Sequence, residues 1–458
     1  MKRKVFLTGA TGVMGSHGLR ELCRYPDRYE VTVLARPGRR NERKLAPYIG
    51  QGVKVVWGDL KSYESVASGV KQADVVLHVG GLVSPEADKY PEKTIEINLT
   101  SIKNIIRAAE GVATPPAVVY IGSVAQYGDR NVPNHWGACG DLQIPSYFDA
   151  YGYSKTEAER LLAESCLPKW VSLRQTGILH SGLLTKASNP VAFHVPIRGV
   201  LEWVTAEDSG RLLERVCRES VPDFFWNKFY NVGGGAAFRL TNYEFEAKLL
   251  KAMGCPPPEK VFDTKWFTTK NFHGFWFSDS DKLEELLHFR SGRTPEEYFG
   301  VMKSELPWFY SLAVVVPAWI IKAVMKRVAH TKDLGPMWWI KNDIKQRIQA
   351  GFGSRESWEK IASWKEIDLR RPSDTPTESA VPDYSYSGIK SLVRSRGGDL
   401  LSPIEENVEP ESRLELSCNC GHRFSLKART LVEGGHWCPE CLKRYVTPDE
   451  IKGAIKEK

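Results

Sequence analysis

Tyr151 and Lys155 put a phenol and an ammonium four residues apart, one helical turn, so that both heads face the same space. A small hydroxyl, Ser123, ends the apolar run that begins at Val118, and in open α/β sheets ligands bind at the carboxyl ends of strands. Upstream, Thr8-Gly9-Ala10-Thr11-Gly12-Val13-Met14-Gly15 follows the apolar run Val5-Phe6-Leu7 and opens a helical pattern. Its glycines allow a tight turn and a close backbone approach to a pyrophosphate, which then sits on the positive end of the helix. A glycine turn or a Tyr-x-x-x-Lys pair alone recurs by chance. Both in this order, with a serine between them, point to nucleotide-dependent redox chemistry.

The ordered set Gly9-x-x-Gly12-x-x-Gly15, Gly58-Asp59-Leu60, His78-Val79-Gly80-Gly81, Asn98, Ser123, Tyr151-Gly-Tyr-Ser-Lys155, Arg174-Gln-Thr-Gly and Tyr230-Asn-Val-Gly-Gly resembles the extended short-chain dehydrogenase/reductase superfamily, the NAD(P)-dependent epimerase/dehydratase group. The resemblance spans residues 3–300. It implies an α/β fold, a doubly wound parallel Rossmann sheet with a smaller substrate-capping region. It also implies a dinucleotide held by Gly9, Thr11, Gly12, Val13, Met14, Gly15, Asp59, Leu60, Val79, Gly80, Gly81 and Asn98, with Tyr151 and Lys155 reaching its nicotinamide end. Tyr151 is then the general acid/base, Lys155 the cation beside phenol and ribose, and Ser123 the group that polarises the substrate oxygen. Asn98 is alternatively a bracket between helix and sheet. Tyr127 fits the strand-end aromatic of the pocket, and Tyr153 has no lysine four residues later.

Cofactor choice turns on the end of the second strand. There Ala35-Arg36-Pro37-Gly38-Arg39-Arg40 offers no carboxylate to ribose hydroxyls. Arg36 can instead bind a 2′-phosphate, with Arg39 or Arg40 adding charge, so NADP(H) is favoured over NAD. For the substrate, Arg174-Gln-Thr-Gly-Ile-Leu-His180 lacks the asparagine with which sugar-nucleotide enzymes of this group hold a diphosphate. Val191–Pro196 and Phe224-Phe-Trp226 suggest apolar and aromatic walls. The first reading is an NADP-linked oxidoreductase acting on a carbonyl or hydroxyl of a steroid- or lipid-like molecule. The rivals are a nucleotide-sugar epimerase or dehydratase, and an NADP sensor with a protein-binding ribbon.

The chain supplies elements to position these groups. Strand patterns at 4–8, 30–35, 54–57, 75–79, 117–123 and 170–175 alternate with amphipathic stretches at 15–25, 62–70, 94–110 and 151–165, as a parallel sheet requires. With 458 residues there is room for two to four units, read as a Rossmann domain with interleaved capping region (1–300), an apolar and basic helical extension (301–369), a flexible linker (370–413) and a small metal-binding unit (414–458). The net charge of +8 is spread along the chain and makes no case for nucleic acid. Met1-Lys-Arg-Lys leads straight into a strand, with no export signal, which favours a reducing, cytoplasmic setting. The 307–327 stretch, apolar then basic, reads as buried packing or as peripheral membrane contact. A homodimer remains open.

Of nine cysteines, Cys418, Cys420, Cys438 and Cys441 cluster near the end as Cys-x-Cys-Gly-His and Cys-Pro-Glu-Cys. Four thiolates close a tetrahedral structural Zn²⁺ site like the knuckles of a zinc ribbon. The short first half leaves room for His422 or His436 in place of one thiol.

Overall fold

The computed structural model describes residues 1–84, 86–185, 189–308, 315–377, 381–403 and 408–446. Seven parallel strands form the central sheet: β1 (Arg3–Thr8), β2 (Tyr29–Ala35), β3 (Lys54–Trp57), β4 (Val75–His78), β5 (Ala117–Ser123), β6 (Trp170–Gln175) and β7 (Lys228–Val232). Their order is β7-β6-β5-β4-β1-β2-β3, the doubly wound arrangement with its switch point between β1 and β4. Alternate residues feed two cores. Val5, Leu7, Val75, Leu77, Val119 and Ile121 pack on one face. Phe6, Val76, Val118 and Tyr120 pack on the other. Because both faces are covered by helices, the strands read as near-continuous apolar runs.

Two helices carry the nucleotide and redox motifs. Val13–Cys23 follows β1, and Ala150–Ala163 carries Tyr151 and Lys155. The second is capped by Asp149, whose Oδ1 accepts from the Gly152 amide at 2.7 Å. It packs beside β5 and the long helix Pro91–Glu110.

The helical extension comprises Ala318–Ala329, Pro336–Lys341, Lys345–Phe352 and Arg355–Glu359. These close over Phe193, Phe262 and Phe267 to make a further apolar core. Residues 309–314 of the apolar stretch lie outside the described residues. No helix among the described residues is long and apolar enough to cross a membrane.

The linker expected over 370–413 is a correction. Arg371 pairs with Glu244 at 2.8 Å and stacks 4.8 Å from the Trp276 ring centre, pinning the start of the segment to the main domain. Further on, helix Tyr386–Ser395 and strand Gly398–Leu400 join strands Arg413–Cys418 and Arg423–Lys427 in the C-terminal unit. Ile389 and Val393 share its core with Leu414, Leu416, Leu426 and Leu431. Apolar residues at 389 and 393 on one helical face are what a polar, proline-rich composition concealed.

This unit is docked rather than tethered. Lys228 pairs with Glu433 at 2.7 Å, and Lys427 donates to the Ser165 carbonyl at 2.8 Å. At the centre of the contact, Arg174 of β6 and Glu159 of the Tyr151 helix form an ion pair of 2.6 Å with no exposed side-chain surface on either partner. Removing one member of such a pair strands the other charge in a dry site. Arg174→Met should therefore lower the unfolding free energy by about 3–5 kcal/mol. The check is a lower denaturant midpoint at unchanged slope, and a midpoint equal to the parent's would count against the pair as a keystone.

Candidate active site and metal cluster

The glycine turn is built by close backbone contact. Gly9 has φ +75°, and a Cβ there would stand 2.7 Å from the Gly80 amide nitrogen; a Cβ at Gly15 would stand 2.2 Å from the Gly9 carbonyl oxygen. Gly12 donates its amide to Gly9 O at 2.9 Å and precedes a helix with neither a side-chain cap nor an acidic residue in its first turn. The amides around Val13, Met14 and Gly15 thus remain available to an anion.

Beneath the turn runs a fully assignable chain of hydrogen bonds. The Gly80 amide donates to Thr8 Oγ1 (3.0 Å), and Thr8 pairs with His78 Nδ1 (2.9 Å). His78 Nε2 meets Ser101 Oγ (3.2 Å), which donates to the Asn98 carbonyl (2.9 Å). Each hydroxyl has one proton, so Thr8 donates to Nδ1 and the imidazole carries its proton on Nε2. Burial holds this histidine neutral, pushing its pKa down to about 3.

Asn98 falls on the bracket side of its two readings. Its amide accepts from Leu82 N at 2.8 Å and donates to Leu82 O and Ser154 Oγ at 3.1 and 2.9 Å, tying the loop after β4 to the Tyr151 helix. A Cβ on Gly81 would lie 2.9 Å from the same amide. Asp59 accepts from Lys61 N at 2.9 Å in a local turn, leaving its other oxygen available. Leu60 reaches beneath Gly80, and Val79 packs against the core.

Arg36 is exposed just beyond β2, and Arg39 and Arg40 open the helix Arg39–Ile49. The same helix contributes a group that motif reading missed. Lys44 donates to the Thr11 carbonyl at 2.7 Å, and burial together with Arg40 lowers its pKa. Its spacing of four from Arg40 was the available signal. Arg36, Arg39, Arg40 and Lys44 thus put four cations at and just after the end of β2, where the strand carries no carboxylate. The residues present fit a nicotinamide dinucleotide.

Ser123 ends β5, where its hydroxyl accepts from the Ala125 amide at 3.2 Å and also hydrogen-bonds Tyr151. Lys155 is buried and donates to the Ile121 carbonyl at 2.8 Å, with its ammonium 5.8 Å from the Tyr151 ring centre. The three side chains singled out by spacing thus converge at the end of β5. Burial pushes the phenol up to about 12 and lowers the lysine to about 8. Tyr151 is consequently a protonated acid at neutral pH.

Two expected pocket groups go elsewhere. Tyr127 is buried, accepting from Arg174 Nη1 at 2.5 Å and donating to Asn231 Oδ1 at 2.8 Å. Phe225 and Trp226 belong to the main core, and Phe224 is exposed. Instead, an apolar cavity of 520 Å³ is walled by Phe193, Trp203, Phe245, Phe267, Ile320 and Val324, and among the described residues no arginine or lysine lines it. Ser84, three residues after Gly81, stands at its edge. Its one carboxylate, Glu246, is pushed up to about 7 by burial.

In the C-terminal unit the donor set is Cys418, His422, Cys438 and Cys441, whose ligand atoms all lie within 4.8 Å of one another. This corrects the four-cysteine reading. A tight turn, with Gly421 at φ +79°, sets Cys418 and His422 on opposite arms of the hairpin, while Cys420 is exposed at its tip. His436 is buried against Glu159 instead. The Cys418–Cys441 sulfurs are 3.6 Å apart, and the three sulfurs lie 3.4, 3.6 and 3.5 Å from His422 Nδ1. A tetrahedron with zinc–ligand bonds of ~2.3 and ~2.0 Å has edges near these lengths. The donors fit Zn²⁺.

The parallel sheet in this order, with a glycine turn after its first strand, defines a doubly wound Rossmann fold, and the Ser/Tyr/Lys cluster stands at the end of β5. Residues 5–168 match the family model "NAD dependent epimerase/dehydratase family". A UDP-glucose 4-epimerase of Rickettsia bellii is 26% identical over 111 residues, 23% of this chain and 33% of that protein. Human 3 beta-hydroxysteroid dehydrogenase type 7 is 28% identical over 194 residues, 38% of this chain and 50% of that one. The chain thus spans between a third and half of these relatives. A crystal structure of DesIV, a dTDP-glucose 4,6-dehydratase from Streptomyces venezuelae with NAD and DAU bound, superposes with a TM-score of 0.53 at 19% identity, covering 67% of this chain and 96% of that one. That likeness is one of fold.

Lys155 gives a sign-defined test. Its pKa is about 8 folded, against an ordinary value of about 10.4 unfolded, so the folded state sheds its proton first. The buried charge opposes folding below pH 8, and the penalty fades as pH rises from 8 towards 10.4. Lys155→Met should therefore stabilise the cofactor-free protein at pH 7, by roughly 3 kcal/mol at one pKa unit per 1.36 kcal/mol, with the gain shrinking through that window. Denaturant unfolding of both proteins at pH 7 and 10 checks it; a less stable variant at pH 7 would refute the desolvated lysine.

Proposed function

We propose that the protein is an NADP(H)-dependent oxidoreductase that reduces a carbonyl, or oxidises the matching hydroxyl, on an apolar substrate. The observation that carries this reading is the cavity: aromatic and aliphatic walls and, among the described residues, no arginine or lysine for a diphosphate and one carboxylate that would repel it. The steroid dehydrogenase among the relatives supports the same class. Arg36, Arg39, Arg40 and Lys44 support NADP over NAD through charge complementarity with a 2′-phosphate.

A bound nicotinamide dinucleotide would supply or take the hydride. Ser123 orients the substrate oxygen by hydrogen bonding, and Tyr151, protonated at neutral pH, delivers a proton to that oxygen as it gains negative charge. Lys155, one turn along the helix, holds positive charge at the same place. In the oxidative direction these roles reverse.

The second reading is a nucleotide-sugar epimerase or dehydratase. The names of the relatives favour it more directly than they favour an apolar substrate, since UDP-glucose 4-epimerases and a dTDP-glucose dehydratase are among them. One screen separates the two. NADPH or NADP⁺ is incubated with hydrophobic ketones and secondary alcohols, and separately with UDP- and dTDP-sugars. Net cofactor turnover with the first set is expected, and sugar-nucleotide conversion without net cofactor change would replace the reading. Tyr151→Phe should cost about 10²–10⁴ in kcat while NADPH affinity stays within a few-fold. More than a tenth of parental kcat would remove Tyr151 from the proton transfer.

The cavity's outer wall suggests how an apolar substrate arrives. Ile320 and Val324 line the cavity from helix Ala318–Ala329, while Trp319 on the outer side is 71% exposed beside Lys326 and Arg327. In the proposed reading this face rests on an anionic lipid surface, with the apolar groups in the interface and the basic ones at the headgroups. The protein should float with phosphatidylglycerol vesicles and not with neutral ones, and Trp319→Glu should weaken flotation. Equal recovery with neutral and anionic vesicles, or without any, would discard the contact.

A further inference from the structure

The C-terminal unit reaches the reacting groups through a buried polar chain. Gly434 O accepts from Arg174 Nη2 at 2.5 Å and from Gln143 Nε2 at 2.6 Å. Gln143 Oε1 accepts from Gln126 Nε2 at 2.9 Å, and Gln126 Oε1 accepts from the Ser123 amide at 2.6 Å. Three side-chain links thus run from the 434–436 loop to the backbone of Ser123. In parallel, His436 Nε2 donates to Glu159 Oε1 at 2.9 Å, and Glu159 lies one turn beyond Lys155 on the same helix. A third contact meets the entry to that helix, where Phe148 N donates to Tyr445 O at 3.1 Å.

The loop can follow this path only as built. Gly435 has φ +72°, and a Cβ there would fall 1.9 Å from the Asp141 carbonyl oxygen; one at Gly434 would meet Phe229 at 2.8 Å. Gln126, Gln143, Glu159, Arg174 and His436 are all within 2% of full burial. Without the loop, Glu159, Arg174 and Gln143 would each lose a partner in a site where unpaired polar groups are costly.

What fixes the loop is the Cys/His cluster. Cys438 follows His436 by two residues, and Cys441 lies in the short helix Pro439–Lys443, which packs against the Tyr151 helix. We propose that a metal ion at Cys418, His422, Cys438 and Cys441, of the thiolate-binding class typified by Zn²⁺, locks the 434–445 stretch as a brace that positions Ser123, Tyr151 and Lys155. Gln126, Gln143, Glu159 and His436 are its positioning residues. The brace rests on the reading of those three side chains as the reacting groups, but its test needs no substrate.

Hydrogen–deuterium exchange of the full chain supplies that test, with metal content measured alongside. The purified protein should hold about one metal ion per chain, and Cys420→Ser should hold as much. Chelation should raise exchange about tenfold or more in peptides covering 123–128 and 150–163, while those covering 3–8, 29–35 and 75–78 stay protected. Adding Zn²⁺ back should reverse the change. His436→Ala should loosen 150–163 with the metal still bound, and His436→Gln, which keeps a donor towards Glu159, should restore protection. If chelation unfolds the whole chain, the His436 pair decides. Faster exchange confined to 413–446, no difference between His436→Ala and parent at 150–163, or a protein that neither holds nor takes up Zn²⁺ would overturn the proposal. Failure of the substrate screen alone would instead strike the redox reading, because exchange is measured without turnover.

Discussion

An ion pair sealed from water organises this molecule. Arg174 and Glu159 have no exposed side-chain surface, and each must be fully hydrogen-bonded for its charge to be tolerated there. Strand β6, the Tyr151 helix, the segment after β5 and the C-terminal unit each contribute a partner. Glu159 takes bonds from Arg174, Ser172, Gln143 and His436. Arg174 gives bonds to Glu159, Tyr127 and Gly434. Attraction from Arg174 and His436 outweighs burial and holds the carboxyl far below the usual range. Since Glu159 shares a helix with Tyr151 and Lys155, satisfying this pair and orienting the proposed reacting groups are one structural requirement.

The glycine turn and the apolar cavity are opposite in polarity. On the cofactor side, backbone amides are left uncapped and cations gather, so the field favours an anion. The neighbouring pocket that shares Ser84 carries Lys270 and Arg347, whereas the cavity that has Ser84 at its edge offers aromatic faces, one carboxyl raised by burial and, among the described residues, no arginine or lysine. A sugar nucleotide would have to desolvate a diphosphate into that space without compensation. An apolar molecule would gain from entering it, roughly in proportion to the area removed from water. The match over residues 5–168 leaves substrate class undecided, because the similar proteins include one named for a nucleotide sugar and one named for a steroid.

Much of the sheet was legible in the sequence because its strands are buried on both faces. Apolar runs bounded by turns located β1 to β6 within a residue or so, and the glycine turn announced itself through residues that only close packing requires. The Ser123, Tyr151 and Lys155 set was visible as types at fixed spacing, and the structure gathers them at one strand end. What spacing could not show was long-range polar pairing. Gln126 and Gln143 look like ordinary loop residues, and nothing local marks Glu159 as the partner of a histidine 277 positions away. Cys420 illustrates the opposite error. Its type matched the ligand pattern, but the hairpin turn exposes it and brings His422 into the set.

The position of the C-terminal unit changes what a terminal ribbon means here. Had it hung on a linker, metal binding would stabilise only its own small core. Docked on β6, β7 and the Tyr151 helix, it covers charges that the Rossmann sheet alone leaves unsatisfied. In the proposed brace, metal affinity and the order of the Tyr151 helix would be linked thermodynamically: whatever stabilises the docked loop would raise affinity for the ion, and the ion in turn would favour the ordered helix. A cofactor whose ribose engages Lys155 would act on the same equilibrium from the other side. Dinucleotide and metal, held at opposite ends of one helix's contacts, would each be bound more tightly in the presence of the other.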